Sequence, residues 1–522
     1  MPGGSSLSID SKIESEEKKS STRRPSLKLN AISNWATLGV NIVVGFLLTP
    51  FVITHLGKTG YGIWTLIGSF IGYYGLLNLG VGSAIMRYIA RYAGQGDEKS
   101  LNETASTAMA MFSCTGVLAI AASFLLASPL ARFFQVSPEH LNGFRYTVWI
   151  IGLATGLGFP GGVFGAIVTA HERYVAVNFA GIATTLVRAG LVICLLLSGA
   201  GLVGVAFATL GSQLLGLAAN FLLCRHLTPW VRVRLAFANL RVLRMLIVYG
   251  GVTTVIVIAD IMRINLDRFI IGKMVGVADV GVYGIAALII RYMTQLIASG
   301  MGVLTPRFAT LDGAKERAKL QSLFLRSLSV SALLAFGASM LAIIFGGRFI
   351  TWWVGKEFAG AIPVLWIIAT AYAFALSQNP AIGLMFGLKK HHYYAIATII
   401  EAVANVVLSI LLAPKYGIVG VALGTMIPML IIKILVMPVY MSKIVGISIL
   451  SYLKPFVIPA TLAGLMVVLS HAIGALEFLD KCKPIVFLGC GIVAGLIFLA
   501  AVFVITWRIG LPLVYTERRR VC

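Results

Sequence analysis

Charge is scarce in this 522-residue chain: only 12% of its residues are charged, whereas soluble domains carry roughly 25%. Hydrophobic residues make up 58% of the sequence, and the mean hydropathy is +0.93. No polar stretch between the apolar runs is long enough to form a soluble domain of catalytic size. This composition excludes most classes of soluble protein and indicates a chain that lies in a membrane.

Three kinds of chemical signal are also missing. The six cysteines, at positions 114, 194, 224, 482, 490 and 522, show no Cys-x-x-Cys or Cys/His spacing, which argues against a metal site or a disulfide set. Gly57-Lys58-Thr59 imitates the end of a phosphate-binding loop, but the first glycine of that motif would fall at Val52. The amino-terminal stretch lacks the apolar core of a cleavable signal peptide. We therefore predict no metal, no cofactor and no ATPase activity.

Long apolar runs fill the chain from Leu29 to Leu511. A membrane-spanning helix needs about 20 mostly apolar residues to cross a hydrocarbon core of about 30 Å. A helix satisfies its backbone hydrogen bonds internally, and these runs are too long for barrel strands. We predict an all-α integral membrane protein with about fourteen transmembrane helices, at 29–55, 61–86, 104–134, 146–170, 174–197, 201–224, 242–271, 277–304, 322–347, 360–386, 393–413, 417–441, 452–472 and 484–507.

Acidic residues are few, 19 against 42 Lys and Arg, which leaves a net charge of +23. Positively charged loops are retained on the cytoplasmic side of a membrane. With the amino terminus inside, the inner segments hold 28 basic residues and the outer segments 10. This topology explains the charge without nucleic-acid binding and places both termini in the cytoplasm. We expect 1–28 to be a disordered tail, 227–241 a cytoplasmic linker and 509–522 a basic tail.

A glycine motif at the turn after the second span is repeated in the second half of the chain. Gly80-Val-Gly82-Ser-Ala-Ile-Met-Arg87-Tyr88 returns as Gly300-Met-Gly302-Val-Leu-Thr-Pro-Arg307-Phe308. Two further matches keep the same order: Gly60-Tyr61-Gly62-Ile63 with Val282-Tyr283-Gly284-Ile285, and Gly201-Leu-Val-Gly204 with Gly417-Ile-Val-Gly420. One six-helix unit has therefore been used twice, at 29–226 and 242–441. The two bundles are related by an axis along the membrane normal, and 452–508 forms an accessory helix pair.

These motifs, together with Asn265-Leu-Asp267-Arg268-Phe-Ile-Ile-Gly-Lys-Met-Val-Gly and a final Tyr416-Gly-Ile-Val-Gly, resemble the polysaccharide flippase family over residues 29 to 510. That family is the Wzx-type polysaccharide transporter branch of the multidrug/oligosaccharidyl-lipid/polysaccharide exporter superfamily, which contains the MATE-like transporters. The resemblance implies translocation of an undecaprenyl-diphosphate-linked oligosaccharide, such as an O-antigen, capsule or exopolysaccharide repeat unit, across a bacterial inner membrane. It further implies alternating access driven by an ion gradient, with a polysaccharide polymerase and a chain-length regulator as partners.

Cationic side chains inside the spans are the candidate cargo contacts, because an ionised group at the bilayer centre needs a partner or a wet cavity. Arg188, Arg263 and Arg291 are predicted to line a cavity between the bundles. Guanidinium suits a diphosphate because its fork donates to two oxygens at once. The alternative is that the same residues form structural salt bridges between helices. Arg87 and Arg307, at matching inner ends, are predicted either to gather anionic lipid headgroups or to act only as anchors.

Two carboxylates at depth are candidates for ion coupling. Glu401 in the eleventh span and Asp260 in the seventh could alternate between protonated and ionised states, because a desolvated carboxylate has a raised pKa. The simpler alternative pairs Glu401 with Lys433 in a salt bridge. Asp267 and Arg268 are expected near the outer end of the seventh span, exposed and with structural roles.

Two other transporters of the same superfamily stay open as alternatives. A multidrug/cation antiporter is less favoured, because intramembrane Arg and Lys outnumber Asp260 and Glu401 where a cationic drug favours carboxylates. A peptidoglycan-precursor flippase also has fourteen helices and is the second alternative. A membrane-embedded enzyme would need a large extramembrane loop or a carboxylate constellation near an interface, and we predict that the chain is not an enzyme.

Overall fold

Helices occupy the described part of every predicted span in the structure, a computed structural model that describes residues 27–78, 81–301, 304–388, 390, 392–472 and 484–508. Ten helical stretches in these ranges are long and apolar enough to cross a membrane. Two of them, Ile32–Leu77 and Tyr394–Val445, bend at glycines and hold two spans each. Leu240–Met274 and Pro484–Arg508 are also of spanning length. The described residues contain no strand, and the all-α prediction is confirmed.

The first bundle consists of six helices and a short turn. A 3₁₀ turn at Tyr73–Asn78 separates its first helix from its second. The helices are α1 Leu27–Gly72, α2 Val81–Gln95, α3 Glu98–Phe133, α4 Pro138–Ala170, α5 Tyr174–Leu197 and α6 Gly201–Leu227. A 3₁₀ turn at Leu235–Phe237 lies in the segment that connects this bundle to the next.

The second bundle and the accessory pair also consist of helices, with short 3₁₀ or π-helical turns between some of them. A π-helical turn at Ile432–Val436 interrupts the last long helix, and a 3₁₀ turn lies at Lys356–Phe358. The helices of the bundle are α7 Leu240–Met274, α8 Val277–Met301, α9 Leu304–Gly313, α10 Arg317–Trp353, α11 Ala361–Ser377, α12 Asn379–Gly387, α13 His392–Ile431 and α14 Met437–Val445. The accessory helices are α15 Ile449–Ala472 and α16 Pro484–Arg508.

Glycine explains one tight turn that occurs at the equivalent place in each bundle. Gly201 and Gly417, equivalent positions of the repeat, have φ angles of 54° and 57°. Side chains with a Cβ avoid this region of backbone space, whereas glycine enters it freely. The chain can therefore turn back between the fifth and sixth spans, and again between the eleventh and twelfth, with almost no loop.

The motif around Gly82 does not form the turn that the sequence suggested. Helix α2 runs through Gly82 and ends at Gln95, and the chain turns at Gly96, whose φ is 68°. Asp97 then caps α3 by accepting a hydrogen bond from the Ser100 backbone N–H at 3.0 Å. Gly82 instead lies near the start of α2, which comes after the 3₁₀ turn at Tyr73–Asn78 within the predicted second span.

The two bundles contact each other at the end where α1 bends. Gly62 of α1 lies against the Val277 carbonyl of α8, and Gly281 approaches the Gly62 backbone nitrogen, where a methyl would lie 3.0 Å away. The Trp353 indole N–H donates to the Phe46 carbonyl at 2.9 Å. The repeated Tyr-Gly motifs of the two halves therefore form the interface between them.

Candidate functional site

A cavity of about 320 Å³ lies between the two bundles. Helices α1, α5 and α6 form one wall, and α7 and α8 form the other. Its polar lining consists of Thr49, Tyr61, Thr65, Arg188, Thr209, Arg268, Arg291 and Tyr292. The site is therefore basic and hydroxyl-rich, and no carboxylate is among its lining residues.

Three arginines converge on this cavity from three helices: Arg188 of α5, Arg268 of α7 and Arg291 of α8. Arg291 is close enough to both of the others for their positive charges to repel. Within the described residues, no Asp or Glu forms an ion pair with any of the three. Because like charges in a partly desolvated site are unfavourable, an anionic ligand with several oxygens would be stabilised there.

Arg268 is the most constrained of the three arginines. Its guanidinium donates to the Ser69 hydroxyl at 3.1 Å, and its buried Nε has no hydrogen-bond partner among the described residues. A buried donor without a partner costs free energy, roughly 1–3 kcal/mol.

Two glycines set the width of the cavity wall. A methyl group at Gly45 would overlap the Tyr292 hydroxyl, and one at Gly284 would lie 2.9 Å from Thr65 Cγ2. An added methyl at either position would therefore require the Tyr292 or the Thr65 side chain to move. The repeated Tyr283-Gly284 motif thus contributes directly to the shape of the site.

Asp267 lies behind the cavity, inside the second bundle. It is 4% exposed, and its Oδ2 accepts hydrogen bonds from the Tyr283 hydroxyl at 2.7 Å and the Thr425 hydroxyl at 2.9 Å. Asn405 donates to Thr425 at 3.1 Å. The Oδ1 atom of Asp267 has no hydrogen-bond partner among the described residues. A buried carboxylate with one open oxygen can take up a proton or another cation.

The expectation that Asp267 and Arg268 are exposed is therefore wrong for both residues. Neither side chain is exposed at the mouth: Asp267 is buried, and Arg268 is half-buried and lines the cavity. The reason is tertiary, because Tyr283 and Thr425 bring α8 and α13 against this end of α7 and exclude water from it. The available signal was that both residues stand in a motif that carries the family resemblance.

Glu401 and Lys433 are both buried, at 2% and 3% exposure. The Lys433 ammonium lies 5.3 Å from the centre of the Tyr394 ring. Tyr394 precedes Glu401 by two helical turns in α13. Gln378 donates to the Lys433 carbonyl at 2.8 Å. Both side chains therefore belong to the interior of the second bundle and not to the lining of the arginine cavity.

The other predicted site residues divide into two groups. Arg87 is exposed on α2 and donates to the Tyr249 hydroxyl at 2.8 Å, and Arg307 is exposed on α9; neither lines the cavity. Arg87 thus connects α2 to the beginning of α7. The side chains of Asp260 and Arg263 lie outside the described residues, although the backbone of α7 continues through both positions.

Fold and site define a multi-pass membrane transporter whose basic cavity lies between two related bundles. The sequence model of the family described as "Polysaccharide biosynthesis protein" matches residues 55–363, more than half of the chain. The chain belongs to this family, and the resemblance to polysaccharide flippases is confirmed. Family membership also indicates a transporter and not an enzyme.

Individual proteins agree with this assignment. The membrane protein EpsK of Bacillus subtilis is 22% identical over 475 residues, covering 88% of this chain and 92% of EpsK. The putative O-antigen transporter of Shigella flexneri is 20% identical over 418 residues, 79% of this chain and 97% of its own length. Among solved structures, the lipid II flippase MurJ in an inward closed conformation covers 92% of this chain with a TM-score of 0.72 and 12% identity, which shows a shared fold.

Proposed function

We propose that the chain flips an undecaprenyl-diphosphate-linked oligosaccharide, an O-antigen, capsule or exopolysaccharide repeat unit, across the bacterial inner membrane. The observation that carries this is the convergence of Arg188, Arg268 and Arg291 on one cavity between the bundles. Guanidinium groups match a diphosphate in charge and in geometry. Arg263, five residues before Arg268 on α7, is a further proposed contact.

The proposed orientation puts both termini and the loops rich in Lys and Arg in the cytoplasm. The contacts of Gly62 with Val277 and of Trp353 with Phe46 then lie on the outer side of the membrane. With this side closed, cargo would enter from the cytoplasmic leaflet, and separation of the bundles here would release it outside. A polymerase and a chain-length regulator would act on the released unit.

The two alternatives fare differently at this site. A multidrug/cation antiporter is disfavoured, because three arginines and no carboxylate line the cavity. A peptidoglycan-precursor flippase would use the same arginines, since its cargo is also a lipid diphosphate. The identity of the lipid-linked glycan that accumulates when the gene is deleted separates this alternative from the leading proposal.

For ion coupling we propose Asp267 in addition to Glu401 and Asp260. Its buried, unpaired Oδ1, its hydrogen bonds to two neighbouring helices, α8 and α13, and its position one residue before Arg268 support this role. Binding of a cation at Asp267 would change the charge next to the arginine cavity. Whether the coupling ion is a proton or sodium is tested by imposing each gradient separately on proteoliposomes.

The central experiment substitutes Arg291 in a strain that lacks the chromosomal gene. We expect Arg291→Ala to abolish surface glycan and to leave membrane levels intact, because a lost charge-assisted hydrogen bond costs about 1.5–3 kcal/mol. Arg291→Lys should keep part of the activity, since it keeps the charge and loses the fork.

The matched control is Lys415→Ala, which removes an exposed cation that lies over Tyr416 and does not line the cavity. This variant should complement fully. Normal surface glycan in both Arg291→Glu and Arg188→Glu strains would remove the arginine cavity from cargo binding and overturn the proposal.

A further inference from the structure

An uncharged polar ladder joins α1 and α5 beside the arginine cavity. Asn178 donates to Asn34 Oδ1, at 2.6 Å, and to the Ser33 hydroxyl, at 2.9 Å. Seven residues later on both helices, the Thr185 hydroxyl donates to Asn41 Oδ1 at 2.8 Å. Seven residues are close to two helical turns, so the two rungs lie on the same faces, about 10 Å apart.

Helical spacing continues this ladder into the cavity. On α1, Asn34 and Asn41 share a stripe with Gly45 and Leu48, which line the cavity. On α5, Thr185 is one turn before Arg188, which lines it as well. The ladder therefore extends from the arginines toward the end of the molecule at which α1 and α5 begin.

The amides of the ladder have free hydrogen-bonding capacity. Asn34 and Asn41 are exposed, and each uses its side-chain oxygen as the acceptor within a rung. Their Nδ2 groups, which carry two donors each, have no hydrogen-bond partner within the described residues. Across the cavity, Gln295 and Ser299 follow Arg291 at intervals of four residues on α8 and are exposed.

We propose that this ladder is the glycan subsite: it binds the sugars of the cargo while the arginines bind the diphosphate. The inference rests on the proposed function, because it takes the arginine cavity as the position of the diphosphate. Uncharged amides and hydroxyls donate to and accept from sugar hydroxyl and acetamido groups without discriminating by charge. The sugar next to the diphosphate meets the rung of Asn41 and Thr185, and later sugars reach the rung of Asn34 and Asn178.

The test measures binding of three lipids to the purified full-length protein in phosphatidylethanolamine/phosphatidylglycerol nanodiscs. The probes are undecaprenyl diphosphate, the same lipid bearing one N-acetylglucosamine, and the same lipid bearing a trisaccharide. Asn41→Ala should weaken both sugar-bearing lipids about two- to tenfold, the value of one neutral hydrogen bond, with no change for the sugar-free lipid. Asn34→Ala should weaken only the trisaccharide lipid.

Thr184 and Thr185 provide a matched pair of variants. Thr185→Val removes the hydroxyl that holds Asn41, and should act as Asn41→Ala does. Thr184→Val removes a hydroxyl that donates to the Ala180 carbonyl of its own helix, and should leave all three affinities unchanged. Thermal stability of each variant separates a loss of helix packing from a loss of sugar contact.

The outcomes distinguish the two proposals. If Asn41→Ala weakens the binding of all three lipids equally, or of none of them, the ladder only joins the helices and the proposal of a glycan subsite is wrong. The proposed function still holds in that case if binding of the lipids depends on Arg188. If the wild-type protein binds none of the lipids, the proposed function fails, and the glycan subsite fails with it.

Discussion

Gly62 offers a direct test of the interface between the bundles. In the structure, a Cβ at this position would overlap the Val277 carbonyl oxygen and would lie 3.1 Å from the Ala278 Cα. Both neighbours are backbone atoms of α8, so no side-chain rotation can relieve the overlap. The Gly62→Ala substitution must therefore move the two bundles apart at this end.

The expected magnitude follows from the cost of overpacking, about 1–3 kcal/mol. Because the contact joins two bundles that move relative to each other in the proposed mechanism, this cost falls on the closed state and not on folding. The ratio of closed to open molecules should drop by about 5- to 140-fold.

Lys58 and Asp279 provide the assay, because their charged groups lie 3.9 Å apart across the same interface and both side chains are 36% exposed. Cysteines at both positions, in a background without the native cysteines, should be joined efficiently by a short bifunctional thiol reagent. Loss of the ion pair itself matters little, since exposed pairs contribute about 0–1 kcal/mol. We expect Gly62→Ala to reduce the cross-linked fraction sharply.

The control is Gly68→Ala on the same helix, where an added methyl meets nothing within 4 Å. It should leave the cross-linked fraction unchanged. A folded Gly62→Ala protein that cross-links as well as the wild type would refute the reasoning, because it would show that the bundles do not meet at this glycine.

Three further predictions concern the second bundle and its interface with the first. Asp267→Ala should lower the free energy of unfolding by about 1–3 kcal/mol, because two hydroxyl donors lose their acceptor. Asp267→Asn should keep most of this stability and lose gradient-driven transport. An equal loss of stability in the two variants would contradict the coupling role. Gly417→Ala should lower the free energy of unfolding, followed by thermal melting, by about 1–3 kcal/mol, because φ at this position is 57°. The control Gly464→Ala, on α15 with nothing within 4 Å of the added methyl, should be neutral or stabilising. Trp353→Phe keeps an aromatic ring but loses the hydrogen bond to the Phe46 carbonyl. Cross-linking between cysteines placed at positions 58 and 279 should therefore fall modestly. An unchanged yield would show that this hydrogen bond does not stabilise the interface.

The fold was predictable because its determinants are local. A run of about 20 apolar residues in a bilayer has to form a helix, whatever its neighbours are. The duplication was readable for the same reason: Gly201 and Gly417 each occupy a left-handed turn that glycine alone enters freely. The turn expected at the Gly82 motif lies at Gly96 instead. Glycine in a sequence indicates a special backbone conformation, but it does not distinguish a turn between spans from a break within one.

The candidate site was only partly predictable. Sequence reasoning found Arg188 and Arg291, because an intramembrane charge is conspicuous in an apolar run. The exposed position expected for Arg268 is wrong, because position along a helix is the only measure of depth that a sequence offers. Sequence reasoning also had no means to pair Asn34 with Asn178, or Asn41 with Thr185, across 144 residues of chain.

Composition, the length of the apolar runs and the repeated glycine motifs therefore determined by themselves that this protein is a helical membrane protein with an internal repeat, and the order of its motifs carried the resemblance to the polysaccharide flippases. The tertiary structure alone decided which charges share a cavity, which carboxylates are buried and which amides form the ladder. The physical reason is that burial and electrostatic environment depend on side chains far apart in sequence: Asp267 is held by Tyr283 and Thr425, 16 and 158 residues away. Helix formation in a membrane requires no such distant partner.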